Sequence, residues 1–194
     1  MTKPGPLLIL SGPSGSGKST VISRLLATTD LPLHVAVSAT TRSPRQGEVD
    51  GVSYHFWSPE RFEAERQAGA FLECANVHGR WYGTLRREVD PYREKGIGVI
   101  LVIDVQGART VRQQYPGCLT VFLQTGSMET YECRLRQRGT ESEAAIRGRL
   151  ETARTELACA STYDYQVVND DLDQAVAELR AILQRGFQGD GYAG

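Results

Sequence analysis

An α/β protein built on a parallel sheet is the fold class this sequence predicts, on three observations. Apolar runs long enough for buried strands recur at Leu7 to Leu10, His34 to Val37, Val99 to Ile103, Leu119 to Leu123 and Tyr165 to Val168. Helical patterns lie between most of them, and that alternation is the signature of a parallel sheet covered by helices. The first strand and the first helix are joined by a glycine-rich stretch, GPSGSGKST from Gly12 to Thr20. It sits at the carboxyl end of a strand, where such sheets bind ligands.

The elements follow in order. After the first strand, KSTVISRLLA places Val21, Ile22, Leu25 and Leu26 at helical spacing, which predicts a helix over 18–28. A Gly/Ser tether would share the composition of 12–20, but it would sit between two domains, not between a strand and a helix. Further helices are predicted at 106–115, 127–137, 141–160 and 171–185. Residues 38 to about 90 break the alternation with strand-like pieces in VSYHFW and FLECANV, turn signals in QGEVDG and HGRWYG, and a helix near 59–68. They read as an inserted subdomain of mixed α/β make-up with antiparallel strands. RQRGTESEA interrupts the helical pattern a second time and suits a small mobile lid over about 138–159. Residues 186–194, GFQGDGYAG, have no periodicity and read as a tail. The rest, 1–37, 91–137 and 160–185, forms the core of a single domain.

The 194 residues carry 22 basic and 23 acidic side chains, a net charge of −1. Such a balance gives no global pull toward nucleic acid or an anionic membrane, so neither is an expected partner and any anion site must be local. Cysteines at 74, 118, 133 and 159 form no CxxC pair, and histidines at 34, 55 and 78 show no HExxH spacing, which argues against a structural zinc site. Trp57 and the four cysteines read as packing residues. Scattered thiols, a start (MTKPGP) without a signal-peptide core and the lack of a run of roughly 20 apolar residues predict a soluble cytoplasmic protein. Nothing in the composition selects between a monomer and a homodimer.

Gly12, Gly17, Lys18 and Ser19 satisfy G-x-x-x-x-G-K-[ST], with Pro13, Ser14, Gly15 and Ser16 between the glycines and Thr20 after. Glycines let backbone amides turn inward around phosphate oxygens, and the following helix presents unpaired N–H groups and its positive dipole end. Lys18 can then reach the β and γ phosphates while the Ser19 hydroxyl ligates Mg²⁺, so a nucleoside triphosphate site is predicted. Asp104 ends the buried strand VILVID where that Mg²⁺ would lie; without the loop, a helix beginning in DVQGARTV with Asp104 as its cap would be an equal reading, and with the loop the metal is favoured. Arg42 and Arg45, three apart in a Pro-containing segment with Tyr54 nearby in sequence, can clamp a second phosphate; alone they would read as a solvated pair.

GPSGSGKST, SATTRSPRQGEVDGVSY, FLECANVHGRWYG, VIDVQG, RQRGTE and VVND, in this order, resemble guanylate kinases over about residues 7 to 183. The resemblance implies a P-loop NTPase core with a GMP-binding subdomain and a lid, and transfer of the γ-phosphoryl group of ATP to GMP with Mg²⁺. It implies that Arg42, Arg45, Tyr54 and Tyr82 hold the GMP phosphate, that Ser38, Glu73 and Thr84 contact guanine, and that Arg134, Arg138 and Arg149 close over the triphosphate. Asn169 falls near the ATP nucleoside by the same resemblance, with a helix cap as an equal explanation. Guanine offers N1–H and N2–H₂ as adjacent donors that one carboxylate can accept, whereas adenine presents an acceptor at N1. Without the resemblance Glu73 would read as an outward-facing strand residue, and Arg134 and Arg138 as an i, i+4 pair on a solvated helix. The family usually carries an acid where this chain has Val102. Two rival functions are a non-catalytic interaction module, which typically lacks the phosphate loop, and a kinase for another phosphorylated small molecule such as a ribose bisphosphate.

Overall fold

The computed structural model describes residues 3–77, 79–137 and 142–189. A five-stranded, wholly parallel sheet runs in the order β2 (Leu33–Val35), β7 (Gly98–Val102), β1 (Leu7–Ser11), β8 (Leu119–Gln124), β9 (Tyr165–Val168). β1 is central and buried along its whole length, which is why it reads as an unbroken apolar run. Its residues alternate between two cores. Leu8 and Leu10 pack with α1 (Lys18–Thr28) and α7 (Leu172–Gln188), whereas Leu7 and Ile9 face the side covered by α4 (Val105–Gln114). The result is three layers, with the glycine loop emerging from the carboxyl end of the middle strand.

Several boundaries differ from the sequence expectation. β2 is shorter than 34–37. Leu26 is 44% exposed, so the buried face of α1 is Val21, Ile22 and Leu25 alone. α5 (Met128–Gln137) begins close to its expected start, and α6 (Glu143–Leu157) is shorter than 141–160. α7 runs three residues past its expected end, into the stretch read as a tail. Gly186 is not its stop: a Cβ there would come within 2.7 Å of Leu119 Cδ1, so the missing side chain lets the helix pass close to β8. Gly189, left-handed at φ 92°, is the stop. Trp57 is buried as expected, but Cys133 is exposed and does not pack.

A second sheet, ordered β4 (His55–Phe56), β3 (Ala39–Thr40), β6 (Arg80–Leu85), β5 (Phe71–Val77), is formed wholly from the chain between β2 and β7. Its β5–β6 hairpin and β3–β6 pair are antiparallel, but β3 and β4 are parallel, so the expectation of antiparallel strands holds only in part. The long connection over 41–54 makes this possible, because a parallel pair cannot be joined by a tight turn. α2 (Pro59–Gln67), started by the Ser58 cap and a proline at its first turn, supplies Phe62 to a small aromatic core with Trp57 and Phe71. A 3₁₀ turn over Arg86–Glu88 and the short α3 (Asp90–Glu94) lead back to the first sheet. Glu88 ties the two sheets: it pairs with His34 on β2 at 3.1 Å and with His55 on β4 at 3.7 Å. Among the described residues no helix is long and apolar enough to cross a membrane.

Candidate active site

The glycine loop is shaped by its surroundings. Gly12 has φ 145°, and a Cβ there would run into the Leu123 carbonyl of β8; Gly17 is left-handed at φ 93°, and a Cβ would strike Asn169 Nδ2. The loop's carbonyls are held from behind. Asn169, only 4% exposed, donates Nδ2–H to the Ser16 carbonyl at 2.7 Å. Arg134 donates to the carbonyls of Asn169 at 2.8 Å, Ser16 at 3.3 Å and Gly15 at 3.4 Å. Asn169 is therefore not the helix cap, a role that Asp171 fills for α7. Among the described residues no side chain caps α1, so its first-turn N–H groups remain for an anion. Lys18 begins that helix and donates Nζ–H to the carbonyls of Gly12 at 2.5 Å and Pro13 at 3.1 Å.

Gly17→Ala is expected to destabilise the protein by about 1–3 kcal/mol, from left-handed strain plus loss of the Asn169 contact. Urea unfolding of the variant against wild type measures it, and an unchanged midpoint would contradict the packing described here.

α6 reaches the loop from the far side. Arg149 donates Nη1–H to Ser14 Oγ at 2.8 Å, and Thr152 and Glu156, three and seven residues on, follow it along the same helical face into the cavity. Burial pushes the Glu156 carboxyl up to about 7, an effect reduced by the nearby Lys18 ammonium and reinforced by Asp104. Asp104 caps α4, its Oδ1 accepting from Gly107 N at 2.8 Å. The cap reading is thus correct, and it leaves Oδ2 for another partner, because Asp104 lines the same cavity as Ser19.

Across that cavity stands Glu73 on β5. It is 6% exposed, and its Oε1 accepts both the backbone N–H of Thr84 at 3.0 Å and the Thr84 hydroxyl at 2.7 Å. Thr84 is fully buried and orients the carboxylate. Burial raises the Glu73 carboxyl to about 7; the Thr84 hydroxyl opposes that rise and the Asp104 charge adds to it. Gly107 of α4 packs against the carboxylate so closely that a Cβ would lie 2.6 Å from Oε2. Ser38 and Val102 line the same space, a cavity of about 390 Å³.

Arg42 and Arg45 mark the passage from this cavity to a larger one of about 1070 Å³ beside the glycine loop. Arg42 is paired with Glu48 through both terminal nitrogens at 2.8 Å each, and its guanidinium carbon lies 5.4 Å from the Tyr54 ring centre. Tyr54 in turn meets Tyr82 edge to face at 5.9 Å. Burial is the main reason the Tyr54 hydroxyl is raised above its ordinary pKa. Of the loop, Gly12, Ser14, Gly15, Gly17 and Thr20 line these spaces and Pro13 and Ser16 do not; the other expected site residues fall into three groups. Lys18, Ser19, Ser38, Arg42, Arg45, Tyr54, Glu73, Tyr82, Asp104 and Arg149 share one continuous space. Thr84, Arg134 and Asn169 stand behind it as supports, and Arg138 lies outside the described residues. Glu48 and Glu156 were not anticipated. Helical spacing from Arg149 would have pointed to Glu156; for Glu48 the signal was an acid three residues past Arg45 in a glycine turn.

The comparisons with known proteins agree with this geometry. Residues 5–186 match the family model described as guanylate kinase. A guanylate kinase of Rhodopirellula baltica is 50% identical over 183 residues, covering 93% of this chain and 88% of that protein. One from Symbiobacterium thermophilum is 50% identical over 179 residues, covering 92% and 84%. The crystal structure of guanylate kinase from Anaplasma phagocytophilum superposes with a TM-score of 0.78 at 32% identity, over 95% of this chain and 87% of that one.

Proposed function

The chain belongs to the guanylate kinase family and phosphorylates GMP at the expense of ATP, and from that premise we propose how its residues divide the work. The observation that carries the assignment is Glu73: a buried carboxylate fixed by Thr84 at the far end of a cavity whose other end is the phosphate loop. Its Oε2, which makes no hydrogen bond among the described residues, accepts from the guanine edge. Arg42, Arg45, Tyr54 and Tyr82 hold the GMP phosphate, placing it between the base-reading end and the loop. The segment over about 38–90 is the GMP-binding subdomain, and α6 belongs to the lid.

ATP lies with its phosphates in the loop from Gly12 to Thr20, against the first-turn N–H groups of α1. Lys18 and Arg149 face the space where the transferred group passes, and their charges neutralise its oxygens during an in-line transfer that needs no general base. Arg134 and Asn169 act on the loop itself, keeping its carbonyls turned away from the phosphates. The Ser19 hydroxyl and Asp104 Oδ2, which makes no hydrogen bond among the described residues, are hard oxygen donors suited to Mg²⁺, which when bound would neutralise phosphate charge.

Glu73 makes the acceptor site sensitive to pH. The carboxyl must be ionised to accept two guanine donors, yet burial holds its pKa at about 7 in the unliganded protein. GMP binding below that value therefore requires loss of a proton. The apparent KM for GMP is expected to fall about tenfold as pH rises from about 6 to about 8, the one-group titration for such a pKa. GMP's own phosphate titrates in the same range, so the measurement is the difference between wild type and Glu73→Gln. If both profiles coincide, Glu73 is not the group that reads the base.

A further inference from the structure

Arg42 has five N–H donors, and their directions are uneven. Its terminal nitrogens Nη1 and Nη2 donate to the two carboxylate oxygens of Glu48, and Nη1 also donates to the Ser43 carbonyl at 2.7 Å. The end of the fork is thus filled. Nε, by contrast, is buried and has no hydrogen-bond partner among the described residues; the Tyr82 hydroxyl is near enough to favour the charged guanidinium but does not meet Nε with hydrogen-bond geometry. Leaving a charged, buried donor unmet is unfavourable. Nε belongs to the side edge that it forms with Nη2, the other edge on which a guanidinium can take an anion bidentately.

Glu48 does more than neutralise Arg42. Its Oε2 also accepts the backbone N–H of Arg45 at 2.6 Å, so one carboxylate fixes the side chain of the first arginine and the main chain of the second. Both members of the ion pair are largely buried, with side chains 14% and 20% exposed. Phe56 and Tyr54 flank the guanidinium at 5.6 and 5.4 Å.

We propose that Glu48 is a positioning residue: by holding the end of the Arg42 fork, it presents the Nε–Nη2 side edge, whose Nε makes no hydrogen bond among the described residues, to the phosphate of the nucleotide acceptor. This rests on the reading that Arg42 binds that phosphate. The opposite role, a carboxylate that stands in for the phosphate and must leave, would free an anchor that the Arg45 backbone also uses. The two roles differ in the sign of their effect on GMP.

The test is steady-state kinetics of Glu48→Gln, Glu48→Asp, Arg42→Lys and the double variant Arg42→Lys/Glu48→Gln, with thermal melts of each. Gln cannot accept at both oxygens, and Asp keeps the charge but is too short to span both terminal nitrogens. Each Glu48 variant is expected to raise the KM for GMP by about tenfold or more, with the KM for ATP within about twofold of wild type. Adding Glu48→Gln to Arg42→Lys should change the GMP KM by less than about twofold, since a lysine has no edge to orient. A GMP KM unchanged or lowered in Glu48→Gln, or a rise shared equally by ATP, would overturn the proposal. Should Glu48→Gln fail to fold, Glu48→Asp carries the same test. If Arg42→Lys itself leaves the GMP KM unchanged, it is the assignment of Arg42 to the phosphate that fails.

Discussion

Replacing Lys18 with methionine is expected to lower kcat by about 10²- to 10³-fold or more, the range seen when a preorganised charge-stabilising group is removed. The methionine keeps the length and apolar stem of the side chain and removes only the ammonium. That ammonium sits at the first residue of α1 with the Gly12 and Pro13 carbonyls as partners, poised to move to charge that builds between the β and γ phosphates. The loop itself is held by Asn169 and Arg134, so the variant is expected to fold. Circular dichroism and a thermal melt check that, and a coupled ADP-release assay checks the rate. A folded Lys18→Met enzyme with near wild-type kcat would remove Lys18 from the mechanism.

The second large effect is at Glu73. In Glu73→Gln the amide oxygen is expected to stay with Thr84, which offers two donors, and that places the amide NH₂ where Oε2 now stands. A donor would then face the guanine N1–H and N2–H₂ donors. Sites built on such hydrogen bonds discriminate by about 10⁴–10⁵, so kcat/KM for GMP should fall by about 10² or more while the KM for ATP changes little. Preference for GMP over AMP should shrink in the same variant. Unchanged discrimination would mean that the base is read by other groups.

These two residues differ in how far the sequence reveals them. Lys18 lies in a contiguous strand, loop and helix whose pattern is local, so the role proposed for it follows from spacing alone. Glu73 could not be found without the family resemblance, because alternation along a strand does not say which face another element covers. Its burial comes from α4, where Gly107, more than thirty residues later, packs against the carboxylate. The same limit explains β3 and β4. Strands of two residues carry no periodicity, and their parallel pairing is imposed by the chain that goes round through 41–54. Asp104 shows a third case: the alternatives of cap and metal ligand were not exclusive, because a carboxylate has two oxygens and the cap uses one. Arg134, which spacing alone reads as half of a solvated i, i+4 pair and the resemblance as a lid cation, donates to the carbonyls of Gly15, Ser16 and Asn169, contacts that no local pattern reveals.

Glu48 and Glu156 belong with the residues that spacing alone undervalues. Each is an acid beside a cation already assigned a role, and on a surface such acids are usually solvated partners of little consequence. Partial burial changes that. Arg42 holds the Glu48 carboxyl below the usual carboxylate range, whereas burial outweighs the Lys18 charge at Glu156 and drives its carboxyl up. Environment, not residue type, separates the two.

In the proposed mechanism one cavity joins a guanine-reading carboxylate to a phosphate loop. The most direct test of that mechanism is ADP release by the wild-type enzyme, with ATP and Mg²⁺ fixed and GMP, AMP or ribose bisphosphate as acceptor in turn. The expected result is turnover with GMP and a kcat/KM lower by about 10⁴ or more with AMP and with the ribose phosphate. Comparable turnover with AMP, or with an acceptor that has no base, would contradict the assignment of Glu73 and of the cavity it closes.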